Sequence, residues 1–111
     1  MHASAINRIK KIQDYSLKEL SLTLARYEQD LKTTETLLRN TKTMLKKEQN
    51  FIAYQPYNYP HFLFFYKSMT QKLKDLEAAM LETKKCIQDI TDEMIENIKQ
   101  NKILDTLKNK K

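Results

Sequence analysis

The chain has 111 residues, of which 31 % are charged, with a formal net charge of +6, no glycine and no tryptophan. That composition belongs to long helices in a single domain, 1–111, rather than to a mixed α/β core, and a glycine-free chain holds no phosphate-cradling loop. A single cysteine, two histidines and no Cys/His spacing of a metal site predict a non-enzymatic protein with no metal, no cofactor and no internal disulfide.

The first predicted element is a helix over 5–54. Leu17, Leu24, Leu31, Leu38 and Leu45 stand seven apart, with Ile52 extending the series, which is the a position of a coiled-coil heptad. The intermediate positions are Leu20, Tyr27, Thr34, Thr41 and Glu48, so the seam loosens toward residue 50. Ile6 to Leu17 and Ile9 to Leu20 are both eleven apart, a stutter that would locally unwind a left-handed supercoil. Ser16-Leu17-Lys18-Glu19 has the form of a capping box, but no breaker precedes it, and one continuous helix is expected.

The two prolines, Pro56 and Pro60, both fall in Gln55-Pro56-Tyr57-Asn58-Tyr59-Pro60, so the reversal is expected at 55–60. Pro56 closes the first helix and Pro60 suits the first position of the second. That second helix is expected over 60–108, with Tyr66, Leu73, Met80, Ile87 and Met94 in one series and Phe62, Met69, Leu76, Thr83 and Ile90 in the other. Past Met94 a change of phase is expected through Ile98, Leu104 and Leu107. Equal arms of ~75 Å at 1.5 Å rise per residue, joined by a short connection, predict an all-α, antiparallel two-helix coiled-coil hairpin. Residues whose numbers add to about 114 then lie side by side, placing Asp105 near Ile9 and Ile87 near Tyr27. A helix-swapped dimer would satisfy the same seams.

Three features could carry function. Leu37, Met44 and Phe51 form a third stripe at the g flank, with Phe65, Ala79 and Cys86 on the facing flank of the second helix. This is either the edge of a broad core or a partner groove. Phe51, Tyr54, Tyr57, Tyr59, Phe62, Phe64, Phe65 and Tyr66 crowd the turn, leaving Tyr15 and Tyr27 as the chain's other aromatics. They could plug the tip, but Phe62, Phe64 and Phe65 point in three directions on a helix, so at least one is expected to be exposed as an anchor. Cys86 is expected to be a packing residue.

Charge is uneven along the chain. Asp75, Glu77, Glu82, Asp89, Asp92, Glu93 and Glu96 face only Lys84 and Lys85 in 75–98. Arg8, Lys10, Lys11, Lys99, Lys102, Lys108, Lys110 and Lys111 would make the open end of a hairpin basic, as a solvated terminus or as a docking surface. Nucleic acid is not the expected partner, because no aromatic interleaving or binding motif accompanies the charge. The absence of a long apolar run or a leader pattern predicts a cytoplasmic protein without direct membrane insertion.

The segment Arg8-Ile9-Lys10-Lys11-Ile12 leading into Leu17-Lys18-Glu19-Leu20, the aromatic break from Phe51 to Tyr54, the resumed helix Phe65-Tyr66-Lys67-Ser68-Met69 with Leu73, and the Lys99 to Lys111 stretch together resemble the FliJ family. That family is the small coiled-coil component of the bacterial flagellar type III export apparatus. The resemblance implies a stalk, similar to the antiparallel coiled coil of a rotary ATP synthase gamma subunit, that binds the hexameric export ATPase, contacts the export gate membrane protein and escorts export chaperones. By position it assigns Arg8, Lys10, Lys11, Lys108, Lys110 and Lys111 to the ATPase ring, and Met44, Phe51, Phe65, Met69 and Leu73 to the gate or chaperones. It also implies a location peripheral to the export apparatus at the inner membrane. Two other classes stay open: a structural or adaptor coiled coil, and a prefoldin-like holdase, although 55–60 is too short for the β-hairpins that prefoldins carry between their helices.

Overall fold

The computed structural model describes residues 3–54 and 59–109, and all of them lie in two α-helices, α1 (Ala3–Tyr54) and α2 (Tyr59–Asn109). The chain is an all-α helical hairpin. Helix interiors without glycine or proline and rich in leucine, lysine, glutamate and glutamine explain the length of each element. α1 runs through Ser16 without a break. α2 opens at Tyr59, one residue earlier than expected, so Pro60 stands in the first turn, where its missing amide proton would have had no helical acceptor. Pro56 and the rest of 55–58 lie outside the described residues.

The helix pair divides into two units: Met1–Glu28 with Lys85–Lys111, and Gln29–Lys84. In the first, polar links between described residues cross from one helix to the other. Lys10 pairs with Asp105, Gln13 Nε2 donates to Gln100 Oε1 at 3.1 Å, and Asn97 Nδ2 donates to the Gln13 carbonyl oxygen at 3.2 Å. Asn101 Nδ2 donates to Asp14 Oδ1 at 3.3 Å, and Lys108 Nζ to Asn7 Oδ1 at 2.9 Å. The numbers in these pairs add to between 110 and 115, the antiparallel register expected from the sequence, and Asp105 lies beside the Ile9-Lys10 step.

The seam of this unit differs from the expected phase changes. Ile6 is buried, and Lys10, Gln13, Leu17, Leu20, Leu24 and Tyr27 are half-buried, so the seven-residue register continues to the start of α1. On α2, Asn97, Asn101 and Leu104 continue it past Met94, while Ile98 and Leu107 are exposed. Amides occupy heptad positions that the apolar repeat skips. Ile9 is half-buried as well, on the flank.

In the second unit the seam consists of Leu31, Thr34, Leu38, Thr41, Leu45 and Ile52 from α1, and Phe62, Phe65, Met69, Leu73, Leu76, Met80 and Thr83 from α2. Threonine suits this seam because its hydroxyl is satisfied within its own helix. Thr41 Oγ1 donates to the Leu37 carbonyl at 2.7 Å, Thr34 to Asp30 at 2.9 Å, and Thr83 to Ala79 at 2.9 Å. Thr41 is the only buried residue described in this unit. Toward the tip Glu48 and Tyr66 are both exposed, so the seam loosens as the sequence predicted, and Phe65 rather than Tyr66 turns inward.

Candidate partner-binding surfaces

The open end of the first unit carries the basic candidates, but not as a uniform patch. Arg8 and Lys11 are exposed, as are Lys99 and Lys102. Lys10 sits at a heptad a position, half-buried, with its ammonium on the Asp105 carboxylate. Its charge is therefore largely spent within the fold. Lys108 donates to Asn7 from the opposite helix, which brings it beside Arg8 in the sequence of α1. Lys110 and Lys111 lie outside the described residues. Asp14 and Asp105 thread acidic groups through this end; the sum of about 114 places Asp105 near residue 9, but the expected basic end did not set either carboxylate against its cations.

Beneath those charges lies a polar layer. Gln13, Asn97 and Asn101 occupy seam positions, and the oxygen of each side-chain amide is buried without a hydrogen-bond partner. Each amide nitrogen is engaged, by Gln100, the Gln13 carbonyl and Asp14 respectively. Half-satisfied amides in a seam weaken it relative to leucine, because desolvation of the lone acceptor is not repaid. An adjoining cleft of about 210 Å³ is lined by Ile9, Gln13, Gln100, Ile103 and Leu104.

The turn-proximal unit carries the apolar candidates. Leu37, Met44 and Phe51 are exposed to 43 %, 50 % and 47 %, so this stripe runs beside the seam with about half of each side chain's surface in water. Phe65 is half-buried, and Met69 and Leu73 are half-buried members of the seam, so the structure gives the last two a packing role toward α1. Phe51 and Phe65 come together, with Glu48, Ile52, His61 and Phe62, around a cleft of about 360 Å³. Its geometry follows from helical spacing: Glu48, Phe51 and Ile52 share one face of α1, and His61, Phe62 and Phe65 one face of α2.

The aromatics of α2 form a short run, with Tyr59 and Phe62 ring centroids 6.4 Å apart and Phe62 and Tyr66 5.9 Å apart, both tilted. Phe64 points away, 80 % exposed, as does Tyr54 at 87 %, so the expectation that one of three neighbouring phenylalanines is exposed holds. The cleft offers an apolar floor with one carboxylate and one imidazole at its edge. That is an anchor pocket in form: it suits an aromatic or aliphatic side chain of a partner. Glu48, Ile52, His61 and Phe62 were not singled out as a site from sequence, because Ile52 and Phe62 read as seam and Glu48 as a loosening of it.

Among the described residues no group of three His, Cys, Asp or Glu side chains could hold a metal ion, and no helix is long and apolar enough to cross a membrane. Cys86 is a half-buried free thiol. No protein-family model, no characterised protein and no solved structure matches the chain.

Proposed function

We propose that this chain is a non-enzymatic coiled-coil stalk of the FliJ type, serving a bacterial flagellar type III protein export apparatus as docking partner of the export ATPase ring, contact of the export gate and escort of export chaperones. The observation that carries the proposal is the Lys108 to Asn7 contact: it joins Lys108 to the Arg8-Lys11 segment, so one end of the first unit presents exposed cations from both helices. A clustered cationic end favours an acidic partner ring through long-range attraction that salt weakens. The exposed Leu37, Met44 and Phe51 flank and its cleft supply a separate apolar surface for the gate or a chaperone. The cytoplasmic location at the inner membrane and the chaperone role belong to the same proposal.

The test is binding of the purified chain to a purified hexameric export ATPase at two salt concentrations. Expected is an affinity that falls with salt and that Arg8→Glu with Lys11→Glu weakens. No binding at low salt, or binding indifferent to both substitutions, overturns the stalk assignment and leaves an adaptor coiled coil, a reading that the exposed apolar flank also favours.

A further inference from the structure

We propose that the exposed flank of the turn-proximal unit is a self-association surface, on which two copies of this chain pack antiparallel into a four-helix bundle. The inference is independent of the export reading. Its starting point is an incomplete core: in this unit Thr41 alone is buried among the described residues, and every apolar seam side chain keeps part of its surface in water. Two helices cannot enclose a seam that four can.

The flank has the shape for it. Leu37, Met44 and Phe51 recur every seven residues along about 21 Å of α1, the repeat that another helix pair meets with its own side chains. Beside them on α2 stand Lys72 and Asp75, both exposed, of opposite charge and about 4.5 Å apart along the axis. In the antiparallel register of about 114, Lys72 lies at the level of residue 42 and Asp75 at that of residue 39, both between Leu37 and Met44 of the stripe.

This placement is self-complementary. A two-fold axis crossing the flank between Lys72 and Asp75 sets each Lys72 against the partner's Asp75, twice over, as an isologous interface requires. The same axis falls between residues 40 and 41 on α1, so it sets Met44 opposite the partner's Leu37 and Leu37 opposite the partner's Met44, with Phe51 further toward the tip. A parallel arrangement gives no such pairing, because it repeats each level on itself and sets Lys72 over the partner's α1 near residue 42, where Lys42 adds a like charge. The charges therefore choose the antiparallel dimer, and the stripe supplies the buried surface.

Sedimentation equilibrium across the micromolar range tests the proposal, with circular dichroism to confirm that each variant stays helical. The wild-type chain is expected to dimerise. Lys72→Glu alone and Asp75→Lys alone each set like charges across the axis and should weaken dimerisation roughly tenfold or more, whereas the double exchange Lys72→Glu/Asp75→Lys should restore it. A wild-type monomer over the whole range overturns the proposal. So does a dimer that neither single substitution weakens, which is the behaviour of a helix-swapped dimer, or a double exchange that stays as weak as the singles.

Discussion

Asn97 donates its side-chain amide to the main-chain carbonyl of Gln13 across the helix pair, at 3.2 Å, while its own oxygen is buried with no donor. Asn101 repeats the pattern toward Asp14. These contacts trade stability for definition: a polar residue at a heptad position weakens a seam but disfavours other registers and partner numbers.

Replacing Asn97 or Asn101 with leucine is therefore expected to stabilise the hairpin. Each change removes an orphaned acceptor, and a gain of about 1 kcal/mol would raise the midpoint of thermal unfolding by about 4–8 °C. The double variant should also lose uniqueness, with a broader distribution of oligomers in light scattering. A lower melting temperature for both single variants would show that the amide contacts outweigh the unpaired oxygens.

The two-helix fold and its register were legible because leucine at a positions from Leu17 to Leu45 and the series Leu73 to Met94 fix both the period and the pairing. The polar layer was not. A search for apolar repeats meets Ile6, Ile9 and Ile98 and infers a change of phase, whereas the chain keeps its heptad by burying Gln13, Asn97 and Asn101 in part. Hydrophobic pattern cannot find a seam position filled by an amide. The exposed flank was legible as a stripe, yet its status as surface or core depended on how far two helices can wrap, and Phe65 and Phe51 fell on different sides of that line.

Lys10 and its neighbours should separate by role. Lys10→Glu sets a carboxylate against Asp105 and should destabilise the first unit by about 0.2–1 kcal/mol, the range of a partly exposed ion pair, with a loss that shrinks in high salt. Arg8→Glu and Lys11→Glu, at exposed positions, should leave chemical denaturation unchanged. If all three shift the midpoint alike, Lys10 has no special place in the fold.

Thr41→Val tests whether threonine enters the seam because its hydroxyl is satisfied locally. The Leu37 carbonyl that accepts from Thr41 is also the acceptor of the helical amide four residues on, so little is lost when the hydroxyl becomes a methyl. Stability should be unchanged or rise by up to about 1 kcal/mol. Thr41→Asn, with a larger amide at a 4 % exposed position, should lower it. A marked loss in the valine variant would mean that the hydroxyl does more than bond its own helix.

The division between flank and seam in the turn-proximal unit gives the sharpest contrast. Leu31 is a half-buried seam residue on α1, and Leu31→Asp places a carboxylate between the helices, at a cost of several kcal/mol and a large fall in melting temperature. Met44→Asp and Phe51→Asp act on side chains already half in water, so the loss should be at most about 1 kcal/mol if measured where the chain is monomeric. Phe65→Asp should fall between them, because Phe65 is half-buried and shares the cleft with Phe51. Dilution matters to the reading: a melting temperature that falls on dilution in the wild type but not in Met44→Asp would locate the extra stability in contacts made by the flank with another molecule. Should Phe51→Asp unfold the dilute chain as readily as Leu31→Asp, the flank is core, and neither a partner nor a second copy can be assigned to it.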